Sequence, residues 1–316
     1  MAAYRIGVHV PVLGGVRNVP LIAEELGAKA FAFFTKNQKQ WKGKPLTKED
    51  IQQFQYHLEK VGIAAEYVLP HNGYLINIGN PDKEKRIRSI DALIEEADRA
   101  YQLGLHLLNF HPGSHLGQLS ENQCLHLVAE GMRQVLQAVP GVILVLETTA
   151  GQGNSVGYTF EHLAELIELS SSPERVGVCV DTCHIFAAGY ELRTEKGFEK
   201  TFESFSKIIG FEKLKGLHIN DSRVDLGSRV DRHASLGKGY LGIPTFARFL
   251  RDARFEDLPL ILETPNPRLW RQEINLLKQV AEGVALEELP PLGGAEQLPE
   301  NYRLLPRTKS SHLRGN

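Results

Sequence analysis

Residues 177–184 of the chain read Gly177-Val178-Cys179-Val180-Asp181-Thr182-Cys183-His184. The first half is a short apolar run rich in β-branched residues, which is typical of a strand buried on both faces. The run ends in the carboxylate of Asp181, and the imidazole of His184 follows three residues later. Because an unpaired buried charge is strongly disfavoured, this carboxylate either caps the next turn or binds a ligand. One strand alone leaves both interpretations open.

Strand-like and helix-like segments alternate along the chain as far as residue 285. Strands are predicted at residues 5–10, 30–34, 65–70, 105–110, 142–146, 176–180, 216–219 and 258–262. Helices are predicted at residues 19–26, 48–61, 83–103, 121–138, 160–169, 198–209, 244–251 and 269–281. Strands separated by helices imply right-handed βαβ crossovers and a parallel sheet. Eight such units favour closure into a single (β/α)8 TIM barrel over an open sheet.

The last part of the chain has a different composition. It contains Pro290-Pro291 and Gly293-Gly294, ends in a basic stretch at residues 307–314, and lacks apolar periodicity. We therefore predict a barrel domain at residues 1–285 and a flexible C-terminal tail at residues 286–316.

Composition narrows the class of protein. The chain has no basic-then-apolar leader and no apolar run near the roughly 20 residues that a membrane span requires. Its three cysteines do not form a disulfide framework. We therefore expect a cytoplasmic protein with no membrane partner. The formal net charge of −2 gives no electrostatic reason to expect a nucleic-acid partner.

Polar side chains recur where the predicted strands end. Five imidazoles and four carboxylates hold such positions: His71, His111, Glu147, Asp181, His184, His218, Asp231, His233 and Glu263. Because the carboxyl ends of barrel strands ring one opening, we expect these nine side chains to converge. Nitrogen and oxygen donors suit borderline divalent ions, Zn²⁺ first and Mn²⁺ or Fe²⁺ next. Nine donors fit three ions at about three ligands each, with one bridging carboxylate.

The alternative for each residue is structural. A lone histidine at a strand end is more often a hydrogen-bonded rim residue, but nine such residues favour a metal site over chance placement. His9 and His115 lie near the opening, either orienting ligands or only forming the rim. Cys183 follows a complete set of donors, so a small buried side chain is its expected role.

Seven motifs carry a resemblance to a known family. They are Phe-Phe-Thr-Lys-Asn-Gln at 33–38, Leu-Pro-His at 69–71, Asn-Phe-His-Pro-Gly-Ser-His at 109–115, Glu-Thr-Thr-Ala-Gly-Gln-Gly at 147–153, Asp-Thr-Cys-His at 181–184, Gly-Leu-His-Ile-Asn-Asp at 216–221 and Gly-Ser-Arg-Val-Asp-Arg-His at 227–233. Together they resemble the endonuclease IV family of apurinic/apyrimidinic (abasic-site) endonucleases. The resemblance covers the chain to about residue 285.

The resemblance implies a xylose-isomerase-like barrel with three zinc ions per chain, held by the nine strand-end residues. One ion falls to His71, His111 and Glu147, and a second to Asp181, His218 and Glu263 with Glu147 bridging as the catalytic carboxylate. The third falls to His184, Asp231 and His233.

The implied partner is double-stranded DNA that contains an abasic site, and the implied protein is a monomer associated with the nucleoid during repair. Lys39, Tyr74 and Leu75 occupy the positions that penetrate the DNA. The implied reaction is hydrolysis of the phosphodiester bond 5′ to the abasic site, leaving a 3′-hydroxyl and a 5′-deoxyribose phosphate. Cleaning of blocked 3′ ends is a second implied activity.

Bound cations would create a local anion site that the net charge hides. We expect basic side chains to line a groove for the DNA backbone around it: Lys36, Lys39, Lys42, Lys44, Arg193, Arg229 and Arg232. Some positions depart from the family pattern. Lys39 replaces a frequent arginine, Asn72 a common aspartate and Thr148 a common asparagine.

Two other functions remain open at this point. A sugar isomerase or epimerase of the related barrels would use Glu147, Asp181, His218 and Glu263. Such an enzyme has no use for the other five donors. These five donors therefore discriminate between an isomerase and an abasic-site endonuclease. The second alternative is a protein that binds damaged DNA without cutting it. Such a protein would be free to lose metal ligands, so the complete set of donors argues against it.

Overall fold

The computed structural model describes residues 4–293. Strands in this range are β1 Arg5–His9, β2 Ala30–Ala32, β3 Leu107–Phe110, β4 Gly113–Ser114, β5 Ile143–Glu147, β6 Ser155–Val156, β7 Val176–Asp181, β8 Leu214–His218, β9 Asp221–Ser222, β10 His233–Ala234 and β11 Pro259–Leu262. Seven of them form one parallel sheet in the order β2-β1-β11-β8-β7-β5-β3. The two-residue strands pair antiparallel, β4 with β6 and β9 with β10, in loops beyond the sheet.

Helices follow the strands as the sequence predicts. In the described range they are α1 Val19–Glu25, α2 Lys48–Lys60, α3 Lys83–Gln102, α4 Glu121–Ala138, α5 Phe160–Leu169, α6 Thr182–Ala188, α7 Glu195–Ile208, α8 Ile243–Arg251 and α9 Trp270–Ala281. Thr47 and Ser120 cap α2 and α4 in reciprocal capping boxes with Asp50 and Gln123. These side chains satisfy amides that the first helical turn leaves without partners.

The barrel closes through residues 68–72, which we call the closing segment. On one side the amides of Leu69 and His71 donate to the carbonyls of Phe31 and Phe33, both at 2.9 Å. On the other side the amide of Asn109 donates to the carbonyl of Pro70 at 2.7 Å. The segment therefore fills the eighth strand position between β2 and β3, which confirms the predicted (β/α)8 barrel.

The predicted third strand, at residues 65–70, is wrong in its first half. Ala65–Tyr67 forms a 3₁₀ turn, and the following residues make only isolated bridges to their neighbours. Pro70 has no amide hydrogen to donate, so a regular ladder cannot run through it.

Helix α6 follows β7 without a loop and is absent from the predicted helices. Asp181 caps this helix, because its Oδ1 accepts a hydrogen bond of 2.9 Å from the amide of His184. Gly189 ends the helix in the left-handed region at φ 114°, where glycine meets no steric penalty. The helix buries Cys183 and turns His184 back over the barrel opening.

The first residues of the predicted tail lie against the barrel. Leu286, Leu289 and Leu292 are half-buried against the core, and the amide of Gly293 donates to Oε1 of Gln272 on α9 at 3.1 Å. The packing of the barrel therefore continues past residue 285, as far as Gly293. The rest of the predicted tail lies outside the described residues. Between residues 4 and 293, no helix is long and apolar enough to cross a membrane.

Candidate metal centre

The strand ends place the predicted donors at one level of the barrel. Asp181 at the end of β7 lies opposite His218 at the end of β8, and His218 lies opposite Ile261 near the end of β11. His71 of the closing segment bridges Asn109 of β3. Because all of these strands are parallel, their last side chains face the same opening.

All nine predicted donors come together there. Within the described range, donor atoms lie within 4.8 Å of one another in three sets: His71 with His111 and Glu147; Glu147 with Asp181, His218 and Glu263; and His184 with Asp231 and His233. An overlapping set joins Asp181, Cys183 and His233. Glu147 belongs to two of the sets.

Glu147 is fully buried at the centre, and its two oxygens face different histidines. Oε2 lies 2.9 Å from Nε2 of His71, and Oε1 lies 3.0 Å from Nδ1 of His218. Oε1 is also 3.4 Å from Nε2 of His111 and 3.4 Å from Nδ1 of His184. A carboxylate whose oxygens contact histidines of more than one donor set is placed to bridge those sets.

Three imidazoles have a fixed tautomer. Their Nδ1 atoms lie beside backbone carbonyls: His71 at 2.9 Å from Asn72, His184 at 2.8 Å from Thr148 and His233 at 3.2 Å from Glu263. Because a carbonyl only accepts, each Nδ1 carries a hydrogen, and Nε2 is the nitrogen left to bind either a proton or a metal ion. Metal-binding histidines are typically oriented by such contacts.

Two asparagines of the site were missed in the sequence. Nδ2 of Asn109 lies 2.5 Å from Oε2 of Glu147. Nδ2 of Asn220 donates to Oδ2 of Asp181 at 2.7 Å, and its Oδ1 accepts from the amide of Glu263 at 2.8 Å. For Asn109 the available signal was a polar amide inside the otherwise apolar strand β3, since such a group must find a partner when buried. Asn220 lies just after β8, where the strand pattern gave no such signal.

The residues left open by the sequence now have defined contacts. Nδ1 of His9 lies 2.7 Å from Oε1 of Glu263, so His9 orients a predicted donor. His115 instead accepts from the amide of Gly117 in its own loop, at 3.3 Å, and belongs to the rim. Cys183 is buried, and burial raises the pKa of its thiol to about 12, which keeps it protonated.

The charges of the site balance one another. Burial opposes ionisation of Glu147, but the imidazoles of His218 and His111 outweigh it and hold the pKa of the carboxyl well below its usual range. Burial likewise opposes protonation of His184, but Asp181, Asp231 and Glu147 raise the pKa of its imidazole well above the usual value. The negative charge of the carboxylates therefore favours a cation at the histidine nitrogens, either a proton or a metal ion. Carboxylate oxygens and neutral imidazoles are ligands that zinc prefers, so the donor set fits divalent metal ions.

Comparison with known proteins identifies the family. Residues 21–280 match the profile of the xylose isomerase-like TIM barrel family. The chain is 49% identical over 278 residues to "Probable endonuclease 4" of Campylobacter fetus subsp. fetus (strain 82-40), covering 88% of this chain and 99% of that protein. The chain belongs to the endonuclease IV family. As a member it is a hydrolase, an abasic-site endonuclease that acts in DNA repair.

Solved structures agree with this assignment. Endonuclease IV from Thermus thermophilus superposes with a TM-score of 0.78 at 30% identity, covering 88% of this chain and 99% of that one. The 3-keto-D-glucoside 4-epimerase from E. coli superposes with a TM-score of 0.61 at 15% identity, covering 88% and 100%. At that identity the epimerase shares the fold alone. The comparison therefore supports the endonuclease interpretation over the isomerase.

The residues predicted to penetrate DNA lie at the rim of the centre. Tyr74 is 71% exposed and contacts Phe34 edge-on, with ring centroids 5.2 Å apart. Leu75 is 38% exposed, and Lys39 is exposed in the loop after β2. The phenol of Tyr74 also lines the cavity of about 350 Å³ that opens onto the metal donors. Whether these side chains enter DNA stays a prediction.

The predicted basic groove needs one correction. Lys36 is buried, and its Nζ donates to the carbonyl of Trp41 at 2.8 Å and lies 3.4 Å from Glu95. It is therefore unavailable to a phosphate. Arg193 is held by Glu191 and Asp225 at 2.7 and 3.2 Å. The other predicted cations of the groove are exposed: Lys39, Lys42, Lys44, Arg229 and Arg232.

Proposed function

We propose that this endonuclease hydrolyses the phosphodiester bond 5′ to an abasic site in double-stranded DNA, using three zinc ions. The products would be a 3′-hydroxyl and a 5′-deoxyribose phosphate. The observation that carries this proposal is the division of nine donors into three sets, two of which share Glu147. An isomerase that holds one ion would leave most of these donors without a role.

Each ion has its own ligands in this proposal. His71, His111 and Glu147 hold the first ion; Glu147, Asp181, His218 and Glu263 hold the second; His184, Asp231 and His233 hold the third. Zn²⁺ is preferred because the donors are imidazole and carboxylate, and Mn²⁺ or Fe²⁺ suits the same donors at one or more positions. When bound, such ions supply Lewis acidity toward water and toward the scissile phosphate.

The chain's own residues fix where this chemistry happens. Glu147 separates the first two sets by the width of one carboxylate, and Asn109 holds the orientation of that carboxylate from β3. Asn220 ties the side chain of Asp181 to the backbone of Glu263, so two donors of the second set keep their spacing. Positioning of this kind is needed to align an attacking water with a leaving oxygen.

Recognition of the lesion falls to the rim. Tyr74 and Leu75 would fill the gap that a flipped abasic nucleotide leaves in the base stack, and Lys39 would penetrate the DNA at the same site. The exposed cations nearby would bind backbone phosphates. A blocked 3′ end presents the same phosphodiester chemistry, so its removal by the same centre is part of the proposal.

We also propose that the protein acts as a monomer, in the cytoplasm and on the nucleoid during repair. One chain supplies all nine donors and all three rim residues, so no second copy is required to complete the site.

A nicking assay on a duplex with one abasic site tests the proposal. The purified protein should cut 5′ to the lesion, lose activity after chelation and recover it with zinc. Elemental analysis should find close to three divalent ions per chain. A reproducible value of one ion would favour the isomerase, and tight binding without cutting by the fully loaded protein would favour the non-catalytic binder.

A further inference from the structure

Helix α3 carries three charged side chains that the metal centre does not use. Glu96 is fully buried, Arg99 is 7% exposed and Glu95 is half-buried. A buried charge is tolerated only where it is paired or hydrogen-bonded. The partners of these three side chains lie in two loops: residues 35–47 after β2, here the lysine loop, and residues 72–80 after the closing segment, here the tyrosine loop.

Glu96 contacts both loops at once. Its Oε2 accepts a hydrogen bond of 3.0 Å from the hydroxyl of Thr35 in the lysine loop. Its Oε1 accepts one of 3.0 Å from the amide of Gly73 in the tyrosine loop and lies 3.8 Å from Nζ of Lys36. One carboxylate thus joins two segments that the chain separates by a helix and the closing segment.

Arg99 and Glu95 hold only the lysine loop. Nε and Nη2 of Arg99 donate to the carbonyl of Thr35 at 3.1 and 2.7 Å, and Nη1 donates to the carbonyl of Lys44 at 2.7 Å. Oε1 of Glu95 accepts from the amide of Gly43 at 2.9 Å. The lysine loop is therefore fixed to α3 at both ends, and Glu96 alone of the three extends that attachment to the tyrosine loop.

The two loops also approach each other closely. A Cβ added at Gly73 would lie 3.1 Å from the carbonyl oxygen of Gln38 and 3.2 Å from Oε1 of Glu96. Gln38 precedes Lys39, and Gly73 precedes Tyr74. The point of closest approach therefore lies one residue away from Lys39 and one residue away from Tyr74.

We propose that Glu96 is a positioning residue that locks the lysine loop to the tyrosine loop. Lys39 and the Tyr74–Leu75 pair then approach the duplex at a fixed separation. Loops ordered before binding lose less conformational entropy when DNA binds, which strengthens binding without any new contact. The role rests on the proposed function, because it assigns the loops to the abasic duplex.

Three variants of α3 test the lock. Glu96→Ala removes both loop contacts, whereas in Glu96→Gln the amide oxygen still accepts from Gly73 and the amide nitrogen faces the hydroxyl of Thr35. Asp91→Asn, on the exposed side of the same helix, is the control. We expect Glu96→Ala to raise KM for the abasic duplex about tenfold or more, because it breaks two hydrogen bonds to a buried charge. Its kcat and zinc content should stay near those of the parent, and the other two variants should stay within about threefold in KM.

A double-mutant cycle separates positioning from a general loss of structure. A Tyr74→Ala/Leu75→Ala background lacks one of the two groups whose separation Glu96 sets, so Glu96→Ala should change KM there by less than about threefold. An equal change in both backgrounds would overturn the proposal, as would a loss of zinc in Glu96→Ala.

Two further measurements keep the outcome decisive. Thr35→Val removes only the hydrogen bond between Glu96 and the lysine loop, in a side chain of equal size. It should raise KM about fivefold even if Glu96→Ala does not fold. A parent-like KM would contradict the proposal. Amide hydrogen exchange at Gly73, which needs no DNA, should accelerate about tenfold or more in Glu96→Ala and not in Asp91→Asn. A parent that never cuts the abasic duplex but shows this exchange pattern would refute the proposed function and retain the lock.

Discussion

His71 and Glu147 are in direct contact, with Nε2 of the imidazole 2.9 Å from Oε2 of the carboxylate, although 76 residues separate them along the chain. One residue lies in the closing segment and the other at the end of β5, with β3 between them. Asn109 reaches the same oxygen from β3. Three neighbouring positions of the barrel wall therefore converge on one atom, while the other oxygen of Glu147 faces His218.

The shared carboxylate leads to the first prediction. Glu147→Gln should reduce kcat for nicking by at least about a thousandfold, because a neutral amide cannot bridge two cations. Zinc content should fall below that of the parent, and the fold should be retained because the side chains have the same shape. Kinetics, elemental analysis and circular dichroism measure the three quantities. Glu203→Gln, an exposed change on α7, is the matched control. Near-normal turnover in Glu147→Gln would rule out the bridging role.

The second prediction concerns Tyr74 and Leu75, the side chains proposed to fill the gap in the base stack. Tyr74→Ala/Leu75→Ala should weaken binding to abasic DNA by about 1–3 kcal/mol for the lost aromatic contact. Metal content should be unchanged, because neither side chain belongs to the donor sets. Tyr56→Ala on α2, where the tyrosine is 61% exposed, provides a control at another exposed aromatic. If the double variant binds and cuts as well as the parent, these side chains do not fill the gap at the lesion.

The third prediction concerns Asp221, a buried carboxylate beside the long loop after β8. It accepts from the amides of Ser222, Gly239, Leu241 and Gly242 at 2.8 to 3.3 Å. This loop carries Asp231 and His233. In Asp221→Asn the amide group would face backbone donors with a donor, so we expect a loss of about 1–3 kcal/mol in the free energy of unfolding.

The same variant should release zinc faster to a chelator than the parent does, because two donors of the third set lose their support. Asp225→Asn, an exposed change in the same loop, should stay within about 0.5 kcal/mol of the parent. Urea denaturation and chelator kinetics measure the two effects. Equal behaviour of the Asp221 and Asp225 variants would contradict this role.

The fourth prediction concerns pH. Glu273 on α9 is fully buried and accepts from the amide of Leu236 at 2.9 Å. Burial raises the pKa of its carboxyl above the ordinary value of 4.5. The folded protein therefore binds this proton more tightly than the unfolded chain does. The protonated carboxyl contributes its full stabilisation of the folded state below the pKa of the unfolded chain, and this contribution is lost as pH rises through the pKa of the folded protein.

Glu273→Gln removes this dependence while keeping an acceptor for Leu236. The stability of the parent relative to the variant should therefore decline as pH rises from about 4 to about 8. Urea denaturation of both proteins across this range measures the difference. A difference that is flat or increases with pH would show that burial does not govern this carboxyl.

The fifth prediction concerns the C-terminal segment. A chain that ends at Gly293 should keep the metal content and the cleavage rate at saturating substrate, because every donor precedes residue 264. A chain that ends at Glu287 loses the half-buried Leu289 and Leu292 and should unfold about 1–3 kcal/mol more easily. Thermal and urea denaturation of the two truncations compare them. Loss of soluble folding in the chain that ends at Gly293 would show that the barrel needs the removed residues.

Local patterns along the chain were enough to predict the barrel and the convergence of nine donor side chains at one opening. Apolar periodicity distinguishes strands from helices, because each element must bury one face, and polar residues at strand ends stand out against that pattern. His71, Glu147 and His218 could therefore be expected at one opening. The caps at Thr47 and Ser120 were also predictable, since a helix start depends on neighbouring residues.

The partners of individual side chains depend on the tertiary structure alone. Asp181 both caps α6 and faces the centre, although the sequence offered these as alternatives. Lys36 belongs to a buried ion pair with α3 instead of a DNA groove. Asn109, Asn220 and Glu96 acquire their roles from atoms more than twenty residues away. Local pattern shows which side chains are buried, whereas their contacts depend on how distant segments pack, and no periodicity in the sequence encodes that packing.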